Sequence, residues 1–214
     1  IGPDTIKLLS HLGANSFANF DGSRAKQFFP CTASGHVIGD VILFYDPKEQ
    51  RATLVGRPSV TNWVQYQVET GGFNVGCERD ERSADRGGHS LRRHYRYQVQ
   101  GPNGMKILEK LNGGPLPPSK FFGIGEMNFA GRKVKTLRHG MAGEPGLEFW
   151  GPYSQQEEVR AAVVAAGKEF GLRECGARAY STNALESGWI PSPLPAVYSG
   201  DDVKAYRQWL PADG

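Results

Sequence analysis

Gly140-Met141-Ala142-Gly143-Glu144-Pro145-Gly146-Leu147-Glu148-Phe149-Trp150, inside the longer stretch from Arg138 to Pro152, decides how this chain is read. Three glycines and a proline in its first seven positions mark a turn, and the run that follows is β-prone. Side chains alternate along a strand, so Glu148 faces away from Leu147 and Phe149. It is then either the solvated face of a strand or a carboxylate turned into a pocket. In a pocket, a lone carboxylate beside aromatics can accept two parallel hydrogen bonds from a flat N–H/NH2 edge. A pterin presents such an edge.

Upstream of the quoted segment, Phe121 to Asn128 and Lys133 to His139 are two further β-prone stretches with glycine turns between them. Downstream comes the strongest helical pattern. From Ser154 through Gln155, Val159, Ala162, Val163 and Ala166 to Phe170, apolar residues recur at helical spacing. Glu157 and Glu158 sit near the positive end of the helix dipole, and Gly171 is placed to stop the helix. In the first half, Asp4 is expected to cap a helix marked by Ile6, Leu8, Leu9 and Leu12, with Gly13 as its stop. Val37 to Tyr45 and Ala52 to Val55, joined by Asp46-Pro47-Lys48-Glu49-Gln50, read as a hairpin. A helix from Trp63 to Val68 runs toward Gly71-Gly72, and strands are expected at Phe73-Asn74-Val75 and Tyr95 to Val99. A further helix spans about Asn103 to Leu111 and stops at Asn112-Gly113-Gly114. The sum is an α+β fold with antiparallel sheets and flanking helices. The proline cluster Pro115-Leu116-Pro117-Pro118 suggests two packed subdomains, residues 1–114 and 115–214.

Composition narrows the function. The chain has 214 residues, 39% apolar and 22% charged, with 28 glycines and 14 prolines, a turn-rich globular composition. The net charge of +3 does not demand nucleic acid or an anionic membrane. The charged stretch from Glu78 to Tyr97 reads as a solvated loop running into an amphipathic strand. The alternative, RNA binding through Tyr95, Tyr97 and their basic neighbours, lacks a ribonucleoprotein-type aromatic motif. Three widely separated cysteines without a C-x-x-C pair, and five histidines without metal-ligand spacing, point away from disulfides and metal. No apolar run approaches the roughly 18 residues of a membrane span, and a cytoplasmic location is expected. There is no G-x-S-x-G elbow, no phosphate-binding G-x-x-x-x-G-K-[ST] and no dinucleotide fingerprint. Lacking an initiator methionine and opening at Gly2-Pro3-Asp4, the chain is expected to be a fragment.

Several ordered motifs resemble the glycine-cleavage T-protein (aminomethyltransferase) family. Its members carry a G-[YM]-[TA]-G-E-x-G-[YFL]-E turn-strand, a helix, and then L-G-L-x-x-x-G-x-R-[AD]. Here the second piece stands as Phe170-Gly171-Leu172-Arg173-Glu174-Cys175-Gly176-Ala177-Arg178-Ala179. Gly2-Pro3-Asp4, Gly35-His36-Val37-Ile38-Gly39-Asp40 and Gln100-Gly101-Pro102 follow in family order, so the likeness covers nearly the whole chain. Within the family, the chain is most similar to tetrahydrofolate-dependent O-demethylases of vanillate, syringate and 3-O-methylgallate. That likeness rests on Leu54-Val55-Gly56-Arg57, Asn62-Trp63-Val64-Gln65-Tyr66, Leu137-Arg138-His139-Gly140-Met141 and the run from Arg178 to Pro195. Gly39-Asp40, where aminomethyl-transferring members have an Asp-Asp pair, counts against glycine cleavage. The missing K-G-C-Y-x-G-Q-E string counts against the iron–sulfur assembly branch.

The resemblance implies a folate-binding fold, tetrahydrofolate as the cofactor, and methyl transfer from a methoxylated aromatic acid, with neither nucleic acid nor membrane as partner. It implies Tyr180 as the catalytic proton donor and Arg57 as the clamp on the substrate carboxylate. Glu148, Trp189, Gln98 and Arg178 would hold the folate. It further implies that upstream residues and a C-terminal domain are missing here. Each residue also has a plain structural reading: Tyr180 as a buried tyrosine at a helix start, Arg57 as a surface arginine, Trp189 as core. His36 and His139 take no role. The functional alternatives are aminomethyl transfer, demethylation of a sulfonium or amine donor, and a non-catalytic folate-binding module.

Overall fold

A computed structural model describes residues 1–80, 92–129, 131–141, 143–188 and 199–211, without the side chains of residues 177 and 180. In chain order its elements are α1 (Thr5–Leu12), β1 (Lys26–Phe28), β2 (Val41–Asp46), β3 (Arg51–Gly56), α2 (Pro58–Thr70), β4 (His94–Gln100), α3 (Gly104–Asn112), β5 (Ile124–Phe129), β6 (Arg132–Arg138), β7 (Gly146–Pro152), α4 (Gln156–Gly167), α5 (Ala177–Glu186) and α6 (Lys204–Trp209). The fold is α+β with two antiparallel sheets, ordered β1-β2-β3 and β4-β7-β6-β5. Two compact units result: Ile1–Glu78 with Ile190–Gly214, and Arg79–Trp189. Pro115-Leu116-Pro117-Pro118 lies within the second, between α3 and β5.

In the first unit the expected hairpin forms as β2 and β3, in register from Val41↔Gly56 to Asp46↔Arg51. The Asp46 carboxylate fixes the turn by accepting the backbone N–H groups of Lys48 and Glu49, an Asx turn. Asp4 does precede α1, but its side chain does not cap it. Instead its Oδ2 accepts the N–H of Asn74 at 2.9 Å, and residues 73–75, expected as a strand, join neither ladder. Helix α2 starts earlier than its apolar pattern suggests, because Pro58 at its first turn is preorganised for a helix start. Leu8, Leu9, Leu12, Phe17, Phe28, Ile38, Leu43, Val60 and Trp63 form the core, and α6 completes it. Tyr206, 1% exposed, meets Trp63 edge-on at 4.8 Å, and the Trp209 indole N–H donates to Glu69 at 2.7 Å.

In the second unit β5 and β6 form a hairpin and β7 lies between β6 and β4. Helices α3 and α4 cover one face of this sheet. Ile107, Leu108, Val159, Val163 and Ala166 pack there on Tyr95, Val99, Met127, Phe129, Val134, Leu147 and Phe149. Opposed residues of an antiparallel pair share a face, so Arg96, Gln98, Trp150, Glu148 and Leu137 project from the other side. That side is solvated only in part: Leu137 and Glu148 are buried, whereas Lys133 and Lys135 are exposed. Among the described residues, no helix is long and apolar enough to cross a membrane.

The glycines of the opening segment are required by geometry, as two of them show. Gly143 has φ of 76°, a conformation costly for residues with a side chain. At Gly146, a Cβ would fall 2.7 Å from Gln100 Cβ and closer still to the Val99 carbonyl oxygen, so β7 can approach β4 only without one. Gly146→Ala is therefore expected to lower stability by about 1–3 kcal/mol through overpacking, read as a lower urea midpoint with an unchanged slope.

Candidate functional site

Glu148 lies at the middle of β7, opposite Gln98 on β4 and Leu137 on β6. A buried carboxylate must be paired or protonated, and this one is paired. Arg96, two residues before Gln98 on the same face of β4, places Nη1 2.5 Å from Glu148 Oε1. The Arg96 guanidinium in turn lies 4.4 Å from the centre of the Trp150 ring, its direct neighbour across the β4–β7 pair. On the far side of the carboxylate, His139 Nδ1 stands 3.6 Å from Oε2, an ion-pair distance longer than a hydrogen bond. Burial pushes the Glu148 carboxyl up, but His139 and the positive charge and hydrogen bond of Arg96 outweigh it and hold the group below its ordinary value. The result is an ionised, buried carboxylate. A carboxylate has about four acceptor sites, so acceptor capacity remains on both oxygens after Arg96 has taken one.

The turn that leads into β7 is tied to the same strands. Gln98 Nε2 donates to Gln100 Oε1 at 2.8 Å, and that oxygen also accepts the Met141 N–H at 3.0 Å. Beside the turn, an open groove of about 450 Å³ is lined by Phe121, Arg138, His139, Gly140, Gly143 and Glu144, among others. The Phe121 and Phe122 rings stack at 4.4 Å, and Phe122 lies 5.5 Å from the His139 ring. Phe122 has φ of 62°, unusual for a residue with a bulky side chain. His139 thus touches both the groove wall and the carboxylate.

Of the residues singled out in the sequence, the structure brings Gln98 and Glu148 together as direct cross-strand neighbours. Arg178 is an exposed residue in the first turn of α5, and Tyr180 follows on the same helix, with its side chain outside the described residues. Trp189 also lies outside the described residues. Arg57 is exposed in the first unit, in extended conformation just before α2. The two groups that hold Glu148 had no role in the sequence reading. Arg96 could have been placed on the Gln98 face by the alternation of β4. Its partner could not, because β4 and β7 pair over a separation of 52 residues. Among the described residues there is no cluster of ligands able to hold a metal ion.

The family model for the GCVT N-terminal domain matches residues 1–192. The chain belongs to this family. Among curated relatives, this GCVT domain is 50% identical to syringate O-demethylase of Sphingobium sp. (strain NBRC 103272 / SYK-6), over 97% of the chain and 45% of that protein. It is 26% identical to sesamin methylene transferase of Sinomonas sp. (strain No.22), over 98% of the chain and 44% of the relative. It is 26% identical to an aminomethyltransferase of Thermoanaerobacter sp. (strain X514), over 87% and 49% respectively. The chain therefore spans about half the length of the curated relatives it matches.

The charge of Glu148 couples to stability. Its folded pKa lies below the ordinary 4.5, so the ionised group stabilises the fold above about pH 4.5, and that contribution is lost as pH falls through the folded value. Glu148→Gln leaves Arg96 buried without its counter-charge and is expected to cost about 3–5 kcal/mol near neutrality. The gap to the unsubstituted protein should shrink as pH falls below about 4.5, measured as urea midpoints across the acid range.

Proposed function

We propose that this GCVT domain belongs to a tetrahydrofolate-dependent O-demethylase, which moves the methyl group of a methoxylated aromatic acid such as syringate or vanillate to N5 of tetrahydrofolate. The 50% identity to syringate O-demethylase over 97% of the chain carries this reading. Its folate half is supported by Glu148, since a buried, ionised carboxylate with acceptor sites on both oxygens suits a flat N–H/NH2 edge. The partners are then two small molecules rather than nucleic acid or a membrane, and the setting is cytoplasmic catabolism of lignin-derived aromatics.

An aryl methyl ether is a poor methyl donor, because a phenolate leaves reluctantly. Bound tetrahydrofolate supplies N5 as the methyl acceptor. Holding donor and acceptor in line contributes much of the acceleration through proximity. In this reading Glu148, with Gln98, Arg178 and Trp189 in support, fixes the folate, and Arg57 clamps the substrate carboxylate with its two-pronged guanidinium. Tyr180 delivers a proton to the ether oxygen as the carbon–oxygen bond breaks. An unperturbed tyrosine has a pKa near 10, matched to a phenol product.

Incubation with tetrahydrofolate and, in turn, syringate, vanillate, dimethylsulfoniopropionate and dimethylglycine separates the family's reactions by product. A demethylated phenol together with 5-methyltetrahydrofolate is expected from the first two alone. Turnover of only an amine or sulfonium donor would replace this reading by aminomethyl or sulfonium chemistry, and folate binding without any turnover would leave a binding module. Tyr180→Phe is expected to lower kcat by about 100-fold or more, whereas Arg57→Ala should chiefly raise KM for the aromatic acid.

A further inference from the structure

We infer that Arg96 is a positioning residue for the folate-binding carboxylate, fixing both its orientation and its ionised state. The inference rests on the proposal that Glu148 holds the folate. Three observations carry it. Arg96 Nη1 meets Glu148 Oε1 at 2.5 Å, with only 11% and 9% of the two side chains exposed. The guanidinium plane is itself restrained, because Arg96 packs at 4.4 Å against the Trp150 ring, two residues from Glu148 on the same face of β7. And the carboxylate has one cationic group on one oxygen and an imidazole 3.6 Å from the other, so it is braced from both sides.

The physical consequence is specific. A free carboxylate on a flexible side chain must be ordered when a ligand arrives, and ordering a rotamer costs affinity. Here the rotamer is already set by Arg96 on the neighbouring strand β4 and by His139 just beyond β6, so the remaining acceptor sites point in fixed directions. Burial alone would drive a carboxyl toward its protonated form, and a protonated carboxyl has lost an acceptor site. Arg96 opposes that change. The other titratable groups on this face of the sheet, within the described residues of the unit, are His94 on β4, whose Nδ1 lies 3.0 Å from Asp80 Oδ2, His139 beyond β6, Lys133 and Lys135 on β6, and Glu126 on β5. Glu126 is paired with Lys133 at 3.7 Å, which leaves the Arg96 guanidinium and the His139 imidazole as the groups beside Glu148.

The test is the affinity for tetrahydrofolate, measured by isothermal titration calorimetry between about pH 6 and about pH 8. The unsubstituted protein, Arg96→Gln, Arg96→Lys, Glu148→Gln and the double variant Arg96→Gln/Glu148→Gln are compared, each checked for folding by circular dichroism. Arg96→Gln is expected to bind about tenfold more weakly at the acid end and to recover as pH rises and the carboxyl ionises. Unsubstituted protein and Glu148→Gln should show no such recovery. Arg96→Lys, which keeps the charge but loses the planar fork and the ring contact, should weaken binding with little added pH dependence, and it carries the test if Arg96→Gln fails to fold. The double variant should bind like Glu148→Gln alone. If Glu148→Gln weakens binding but both Arg96 variants match the unsubstituted protein, the positioning role is overturned while the folate reading stands. If Glu148→Gln itself leaves affinity unchanged, the folate reading falls and the positioning role with it.

Discussion

The second unit depends on one cross-strand contact, that of Arg96 with Glu148. A carboxylate on the innermost pair of strands would ordinarily be an expensive defect. Arg96 offsets that cost from the adjacent strand, and the register that aligns Gln98 with Glu148 and Arg96 with Trp150 makes the contact possible. That register is held at the mouth of β7 by Gly146, the residue that lets the two strands close up. The turn chemistry, the strand pairing and the charge of the site are therefore aspects of one arrangement. A slip of one residue would turn Glu148 into the hydrophobic core and Phe149 out of it.

The two faces of this sheet divide the labour. One is plain apolar packing under α3 and α4, with Leu147 and Phe149 from the site strand itself. The other is buried around Leu137 and Glu148, yet lined by ionisable and amide side chains. Strand β7 serves both at once, which ties the precision of the polar face to the rigidity of the apolar one. Burial by itself would raise the Glu148 pKa; the shift runs downward because His139 and the Arg96 guanidinium, little screened by water there, outweigh it.

Much of this was readable in the sequence where periodicity and turn residues agreed. The β2–β3 hairpin, the three strands from β5 to β7 and the helices α3 and α4 all stand at or near their expected positions. The exceptions have local causes. Strand β1 and helix α6 span only three and six residues, too short for either period to register. Residues 73–75 look like a strand by composition, but the Asn74 backbone is engaged by the start of α1 through Asp4 and is not available to a ladder. The carboxylate at Glu148 could be singled out by alternation. The groups that set its charge could not, because they arrive from β4 and from the end of β6, and single-sequence patterns do not report which strands become neighbours.

The return of α6 to the first unit bears on where this domain physically ends. The stretch that matches the family model stops at residue 192. Val203 and Tyr206, however, are among the buried residues of the first unit's core. A chain trimmed at the matched boundary would keep every residue proposed to bind folate or substrate. It would also uncover the Trp63 and Tyr66 rings that Tyr206 packs against and strip Glu69 of the indole that donates to it. Such a trimmed protein would present a fresh aromatic patch to its neighbours, and self-association rather than loss of the site would be its first failing.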